Sequence, residues 1–299
     1  MTVGGVSGSW VVVQRNPLSG SGRGVRELIR LVWALRRRGF RVRLFSDRVR
    51  MDAWLRAAAG AREVRCIVAA GGDGTVADLV NRHPGIAVAV LPLGTENLLA
   101  RYLGFRRSGE DLAEVIAGGR VRRLDSAVCN GRRALLMVSC GPDADVVAEV
   151  HRRRRGHISR LSYVVPVLRA LLWGGLRRFE VTASEQSQLR SGSHVIISNV
   201  PRYGFKLPFA PRAEPDDGLL DVRIYHGSGR PGMLWHVLRL KLGLPIGAGE
   251  VTVFRARAVS VRVVDGGCPA DFQFDGDPGG QLPLQVRVEP GSLSLLTRA

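Results

Sequence analysis

The chain has 299 residues, of which 45% are apolar, and a formal net charge of +18. The length allows two domains or one large one, and the apolar content excludes a low-complexity or disordered protein. The charge favours an anionic partner such as nucleic acid, acidic lipid or a phosphorylated ligand, although a solvated arginine-rich surface would give the same charge.

The first part of the chain alternates strand and helix patterns. Buried strands are predicted at 10–13, 41–45, 66–70 and 86–91, and helices at 52–59 and 98–104. Another helix is predicted from the spacing of apolar residues between Val25 and Leu35, with Gly39 in the position of a helix C-cap. Strands separated by helices indicate a parallel sheet that is covered on both faces, so we predict an α/β domain over residues 1–125.

After about residue 125 the pattern changes to short strands that are separated by glycine and proline turns. Strand candidates occupy 133–140, 178–183, 193–200, 219–225, 258–264 and 284–289, and one helical stretch runs from 158 to 173. This pattern predicts a mostly antiparallel β-domain, a sandwich or an open barrel, over residues 126–299.

The sequence GGDGT at residues 71–75 stands where a predicted strand ends and a helix begins. Glycines let the backbone approach a ligand, and the amides of the following helix favour phosphate oxygens, so Gly71, Gly72 and Gly74 are predicted to cradle a phosphate. Because its charge would repel phosphate, Asp73 is predicted either to act with Mg²⁺ or to orient the ligand. The alternative is a tight turn with an aspartate cap.

Two other loops repeat this arrangement. LPLGTEN at 91–97 follows the next predicted strand and places Gly94, Thr95 and Asn97 in its bend, and NPLSGSGRG at 16–24 follows the first strand. The carboxyl ends of adjacent parallel strands form the crevice in which open α/β sheets bind ligands. We therefore predict that the three loops line one phosphate-binding crevice.

Several other functional patterns are missing from the sequence. It contains no G-x-x-x-x-G-K-[ST], no lysine before Lys206, no G-x-S-x-G, no H-E-x-x-H and no kinase H-R-D loop. The cysteines at 66, 129, 140 and 268 form no C-x-x-C pair, so we expect free thiols in a reducing cytosol. No signal peptide is predicted, and the longest apolar run, at 163–176, is too short to span a bilayer.

Seven segments in order resemble the catalytic domain shared by diacylglycerol, sphingosine and ceramide kinases and their bacterial lipid-kinase relatives, within the NAD-kinase-like superfamily. They are NPLSG, GGDGT, LPLGTEN-LLAR, GPDADVVAEV, SNVPRYGF, APRAEPDDGLLDVRIY and FQFDGDP. The resemblance implies a Rossmann-like N-terminal domain followed by a β-sandwich that binds the lipid substrate. It also implies that the last strand, from about 285 to 299, returns to the N-terminal domain.

The resemblance further implies an ATP-dependent lipid kinase that uses Mg²⁺ and phosphorylates a hydroxyl of a diacylglycerol-like or long-chain-base lipid. ATP would bind the N-terminal domain, and lipid would enter a cleft between the domains. The implied nucleotide-binding residues are Asn16, Ser46, Gly71, Gly72, Asp73, Gly74, Thr75, Gly94, Thr95, Asn97 and Asp275. Asp217 and the carbonyl of Leu219 match a structural Mg²⁺ site.

Asp277, in FDGDP, stands where the family has the acid that deprotonates the lipid hydroxyl, so Asp277 and Asp73 are the implied catalytic residues. A carboxylate within hydrogen-bond reach of the hydroxyl accelerates such a step by roughly 10²–10⁴. The alternative is a hairpin turn with solvated acids. The sequence also departs from the family pattern: Ala77-Asp78 replaces Asn-Glu, Leu98 replaces an aspartate, and Asp277 replaces the longer glutamate.

These departures leave two alternatives to a lipid kinase. One is a weakly active or inactive relative that binds lipid or nucleotide, and the other is a small-molecule kinase of the NAD-kinase type. Nucleic-acid binding would rest on charge alone, because the sequence contains no RNP motif or zinc finger. We therefore expect no specific nucleic-acid partner.

A lipid kinase is expected to be cytoplasmic and to associate peripherally with an anionic membrane surface. Two candidate membrane segments are HRRRRGHISR at 151–160 with the adjacent 162–176, and MLWHVLRLKLGL at 233–244. The alternative for each is a helix that packs on the sandwich with a solvated basic edge. The sequence leaves a homodimer open.

Overall fold

A computed structural model describes residues 8–17, 23–58, 63–152, 177–204, 207–227, 229–244, 246–247, 249–264 and 269–298. The chain divides into two compact units. The first unit comprises Met1–Leu124 and Gly291–Ala299, and the second comprises Asp125–Pro290.

The first unit alternates strands and helices. Its strands are β1 (Trp10–Arg15), β2 (Arg41–Phe45), β3 (Val64–Gly71) and β4 (Val88–Pro92), and its helices are α1 (Arg23–Arg37), α2 (Arg48–Ala58), α3 (Asp73–Arg82), α4 (Leu98–Tyr102) and α5 (Gly109–Gly118). The strands are parallel in the order β2-β1-β3-β4. Residues Cys66 to Ala70 are fully buried, which explains why β3 is apolar throughout instead of alternating with polar residues.

The second unit consists mainly of antiparallel strands. They are β5 (Val121–Cys129, which begins in the first unit), β6 (Arg132–Ala134), β7 (Met137–Cys140), β8 (Phe179–Ala183), β9 (Gln186–Gly192), β10 (His194–Ser198), β11 (Leu220–Tyr225), β12 (Val251–Ala256), β13 (Ala258–Val263), β14 (Asp271–Phe274), β15 (Asp277–Gln281) and β16 (Leu284–Leu296). The helices in the described part of this unit are α6 (Pro142–Arg152) and α7 (Gly229–Leu242).

These strands form two antiparallel sheets that share one core. One sheet has the order β12-β11-β10-β7-β14-β15, and the other joins the first part of β16 to β13, β8 and β9. Buried side chains from both sheets make up the core, including Val138, Phe179, Ile197, Val222 and Phe272. The predicted fold class, an α/β domain followed by a mostly antiparallel sandwich, is therefore confirmed.

Strand β16 pairs in both units. Its first residues pair antiparallel with β13, where Val286 lies opposite Val259. Near its end, Leu295 pairs in parallel with Val88 of β4. Leu293, Leu295 and Leu296 are buried, so these residues contribute to the core of the first unit.

The secondary structure differs from the sequence prediction in a few places. The single strand predicted at 133–140 is wrong, because β6 and β7 are separated at Leu135 and Leu136, whose amides donate to the carboxylate of Asp275. Helices α5 and α6 were not predicted. The helix predicted at 158–173 lies outside the described residues. No helix in the described part of the chain is long and apolar enough to cross a membrane.

Candidate active site

Three loops meet at the carboxyl ends of β1, β3 and β4 in the first unit. The amide of Asn16, just after β1, donates to the carbonyl of Ala70 at 3.2 Å, and its side chain lies 3.5 Å from the hydroxyl of Thr75. The amides of Leu93 and Gly94, after β4, donate to the carbonyl of Gly71 at 2.9 and 3.2 Å. These contacts bring Asn16, GGDGT and the Gly94 loop into one constellation.

Gly71 and Gly94 are closely packed in this constellation, Gly71 against the side chain of Thr75 and Gly94 against the backbone of Gly72. A Cβ on Gly71 would lie 2.2 Å from the Thr75 hydroxyl oxygen, and a Cβ on Gly94 would lie 2.6 Å from the Cα of Gly72. Asn97 holds the second loop with a left-handed backbone (φ 48°), and its side chain bonds both the amide and the carbonyl of Gly94. Both loops are therefore fixed by contacts that leave no room for side chains.

The carboxylate of Asp73 faces the start of α4. Its two oxygens accept hydrogen bonds from the amides of Leu98 at 2.8 Å and Leu99 at 3.0 Å. Burial raises the pKa of Asp73, and these two amides offset part of that rise. Asp73 thereby positions the loop between β4 and α4, and the two roles predicted for it, acting with Mg²⁺ or orienting the ligand, stay predictions.

The other predicted residues of the first unit are more open. Gly74 is exposed in the first turn of α3, and no atom lies within 4 Å of a Cβ built on it. Thr95 is exposed in the bend after β4, and Ser46 is exposed directly after β2. Gly72, the N-cap residue of α3, has no side chain to cap the helix, and the amide of Thr75 in the first turn donates to the carbonyl of Gly72 at 2.9 Å.

Asp78 and Leu98, where the chain departs from the family pattern, both have defined contacts. The carboxylate of Asp78 accepts from Arg82 at 2.7 Å, Arg48 at 3.1 Å and Gln14 at 3.3 Å. Leu98 buries its side chain and contributes its amide to Asp73. The Asp78 cluster was not predicted. Its only signal in the sequence is the i, i+4 spacing of Asp78 and Arg82, which places an acid and a base on the same side of a helix.

Asp277 lies in the second unit, at the first residue of β15. Asp275 and Gly276 form a two-residue turn between β14 and β15 with positive φ at both positions (52° and 87°), which Asp-Gly sequences favour. The side chain of Asp277 is 52% exposed, and one of its oxygens lies 3.5 Å from Nε2 of His151 on α6. Asp277 is thus a solvent-accessible carboxylate on a hairpin.

Asp275 anchors the turn between β14 and β15. Its carboxylate accepts from the amides of Leu135 at 2.6 Å, Leu136 at 2.7 Å and Met137 at 3.1 Å. These contacts tie the turn to the link between β6 and β7. Asp275 therefore anchors the turn that precedes Asp277, and the predicted nucleotide contact of Asp275 stays a prediction.

Replacing Asp275 with asparagine should lower the free energy of unfolding by about 2 kcal/mol, because one amide oxygen cannot replace a charged acceptor of three N–H groups. Urea unfolding measures the effect. Asp271→Asn, on β14 of the same hairpin, is the matched control and should change the stability by less than about 0.5 kcal/mol. Equal stability of the Asp275→Asn variant and the unmodified protein would contradict the structural position of Asp275.

A buried polar cluster that the sequence analysis missed lies beside this turn. Asp143, at the start of α6, accepts hydrogen bonds from Ser139 and Gln273 and contacts Nε2 of His194 at 2.9 Å. Burial alone would raise the pKa of Asp143, but His194 and these hydrogen bonds outweigh it and lower the pKa. The side-chain oxygen of Gln273 accepts from the amide of Gly276 at 2.9 Å, which links the cluster to the turn.

Both carboxylate oxygens of Asp217, a predicted magnesium ligand, accept hydrogen bonds within the protein. One carboxylate oxygen of Asp217 accepts from the Leu219 amide at 2.9 Å, and the other accepts from the guanidinium of Arg255 at 3.0 Å. Among the described residues, no group of three or more histidine, cysteine, aspartate or glutamate side chains is placed to hold a metal. The magnesium site stays a prediction, and no reaction step below depends on it.

The remaining predictions concern the cysteines and the membrane segments. Cys66, Cys129 and Cys140 are buried free thiols, and burial raises the pKa of Cys66 to about 12. Cys268, residues 153–160 and residues 162–176 lie outside the described residues. The segment 233–244 lies mostly in α7, where Trp235, Leu238 and Leu242 are exposed.

The parallel sheet with glycine loops in one unit and the antiparallel sandwich in the other define an NAD kinase-like fold. The diacylglycerol kinase catalytic domain model matches residues 10–129, and the model of the YegS C-terminal NAD kinase beta sandwich-like domain matches residues 136–297. The chain belongs to the family of proteins that combine these two domains. The resemblance found in the sequence is thereby confirmed.

Individual relatives agree with this assignment. The chain is 26% identical over 297 residues to a diacylglycerol kinase of Mycobacterium tuberculosis, covering 96% of this chain and 94% of the relative. A crystal structure of a diacylglycerol kinase from Bacillus anthracis has a TM-score of 0.69 at 17% identity, covering 98% and 97%. The fold is also similar to yeast NADH kinase, with a TM-score of 0.53 at 9% identity, covering 98% and 84%.

Proposed function

We propose that this protein transfers the γ-phosphate of ATP to a hydroxyl of a diacylglycerol-like or long-chain-base lipid. Membership of the family and the diacylglycerol kinase name of the relatives support a kinase. The observation that carries the proposal is the close approach of the Gly72 and Gly94 backbones, because a Cβ on Gly94 would lie 2.6 Å from the Cα of Gly72. Because neither glycine carries a side chain, a ligand can approach the backbone closely at this point.

The glycine loops suit a triphosphate. In this proposal the uncapped first turn of α3 binds phosphate oxygens through its amides, which also carry the positive end of the helix dipole. The carboxylate of Asp73 accepts hydrogen bonds from the amides of Leu98 and Leu99, and these amides stabilise its negative charge. ATP enters as its Mg²⁺ complex, so the metal that neutralises phosphate charge comes with the substrate.

Asp277 supplies the base in this proposal. The lipid hydroxyl gives its proton to the Asp277 carboxylate as its oxygen attacks the γ-phosphorus. The bond between that phosphorus and the β–γ bridging oxygen breaks, and ADP leaves. The hydroxyl is too weak an acid to ionise first, so a positioned carboxylate contributes roughly 10²–10⁴ in rate. Asp275 and Gln273 hold the turn that presents it.

The proposal is tested by incubating the protein with radiolabelled ATP and, separately, diacylglycerol, sphingosine and NAD, with products identified by mass spectrometry. We expect label in a phospholipid product. Label in NAD without any lipid product would overturn the lipid assignment in favour of a small-molecule kinase. Tight ATP binding without any labelled product would instead indicate an inactive relative, for which the departures at Ala77 and Leu98 would be the first residues to examine.

A further inference from the structure

Helix α1 presents an apolar stripe to solvent. Val25, Ile29 and Trp33 are 38%, 51% and 65% exposed. They lie four residues apart, so they follow one another along one side of the helix. The side that faces the sheet is formed by other residues, including Leu28, Leu31 and Leu35, which are buried. The exposed stripe therefore adds nothing to the core that anchors the helix.

Arginines border this stripe. Arg26, Arg30, Arg36 and Arg37 are all exposed. Two nearby acids partly offset them: Glu27 lies 2.7 Å from Arg30, and Glu110 of α5 lies 3.8 Å from Arg37. The docking face of α1 is defined here as Val25, Arg26, Ile29, Trp33 and Arg36. It combines an aligned apolar stripe with positive charge.

Single exposed apolar residues are ordinary, but three aligned residues that include a tryptophan form a surface suited to a partner. Tryptophan favours the boundary between water and lipid headgroups, and arginine binds phosphate through its planar fork of donors. Each basic residue near an anionic leaflet contributes about 1 kcal/mol of attraction. The chemistry of the docking face thus matches anionic phospholipid.

We propose that the docking face of α1 binds the surface of an anionic phospholipid membrane. In this arrangement Val25, Ile29 and Trp33 enter the headgroup region, and Arg26 and Arg36 contact lipid phosphates. The inference deepens the proposed function, because a kinase acting on a membrane lipid must reach the bilayer surface.

Two observations favour a membrane on α1 over the alternatives. A second copy of this chain, bound through the same face about a two-fold axis, would bring arginines against arginines. Helix α7 also exposes a tryptophan, Trp235, but Arg239 there is paired with Glu250 at 2.7 Å. Among the described side chains of α7, Lys241 is the only exposed basic group, so α7 attracts an anionic surface less strongly than α1.

The test uses sedimentation of the full chain with vesicles of phosphatidylcholine alone or mixed equally with phosphatidylglycerol. We expect binding to the mixed vesicles that weakens as salt is added. Combining Arg26→Glu with Arg36→Glu should weaken this binding by about tenfold or more. The matched control combines Arg50→Glu with Arg56→Glu on α2, both exposed, and should stay within about twofold of the unmodified protein.

Trp33→Ala provides a second, uncharged variant and should weaken vesicle binding by roughly fivefold. Equal losses in the α1 and α2 arginine pairs would overturn the proposal, because total charge would then explain the binding. The proposal would also be overturned if Trp33→Ala kept its vesicle affinity but dissociated a dimer of this chain in analytical ultracentrifugation. In that case the face would bind a second copy of the chain and not a membrane. The vesicles contain no diacylglycerol or long-chain base and no ATP is added, so this test and the kinase assay fail independently.

Discussion

Replacing Asp277 with asparagine is expected to lower turnover by about 10²–10⁴-fold while ATP affinity is retained. Asparagine has the same shape as aspartate but accepts no proton, and the exposed side chain lies outside the core, so the fold should persist. Initial rates with ATP and the lipid substrate measure turnover, and calorimetric titration measures ATP affinity. The two measurements together separate proton removal from nucleotide binding.

The control for this experiment is Asp271→Asn, on the neighbouring strand β14. It makes the same chemical change at a residue that has no place in the proposed reaction, so its turnover should match that of the unmodified protein. If Asp277→Asn turned over at the rate of Asp271→Asn, Asp277 would not be the base. Loss of ATP binding in the Asp277 variant would mean that the change acts on the nucleotide site.

Gly94→Ala is expected to lower ATP affinity at least tenfold and to destabilise the protein by about 1–3 kcal/mol. The new methyl carbon would lie 2.6 Å from the Cα of Gly72 and 2.8 Å from the side-chain oxygen of Asn97. Because the first contact is with backbone, the two loops must move apart to relieve it. The amides that are proposed to hold phosphate would move with them.

Gly74→Ala is the matched control within the same constellation, because a Cβ there meets nothing within 4 Å. The change should leave the stability unchanged or raise it by up to about 1 kcal/mol, since alanine is the better helix former. Titration with ATP and urea unfolding of both variants check the pair. A Gly94→Ala variant that folds and binds ATP normally would contradict the phosphate-cradle interpretation.

The α/β fold of the first unit and the antiparallel fold of the second were predictable because each produces a local pattern of apolar residues in the sequence. Strands covered on both faces are apolar throughout, as in Cys66 to Ala70, and parallel strands place their carboxyl ends along one edge. For that reason the sequence alone predicts that the Asn16, GGDGT and Gly94 loops meet at one edge of the sheet. The steric need for glycine at 94 follows from the same approach of neighbouring loops.

The predictions that failed or fell short involve partners distant in sequence. The strand predicted at 133–140 is interrupted because Asp275, 140 residues beyond Leu135, takes the amides there. The carboxylate of Asp73 accepts a hydrogen bond from the amide of Leu98, which lies 25 residues further along the chain. Apolar spacing in α1 likewise could not separate Leu28, which is buried, from Ile29, which is exposed. Such pairings arise only when the chain is folded.

The position of β16 has a consequence for biosynthesis. The ribosome makes residues 1–124 well before Leu293, Leu295 and Leu296, which are buried within the first unit. Until then the edge of β4 lacks the partner that pairs at Val88, and an unpaired strand edge is prone to associate with other chains. The first unit therefore cannot complete its sheet during translation before the sandwich has been synthesised, and a nascent chain would need its β4 edge shielded until β16 is made.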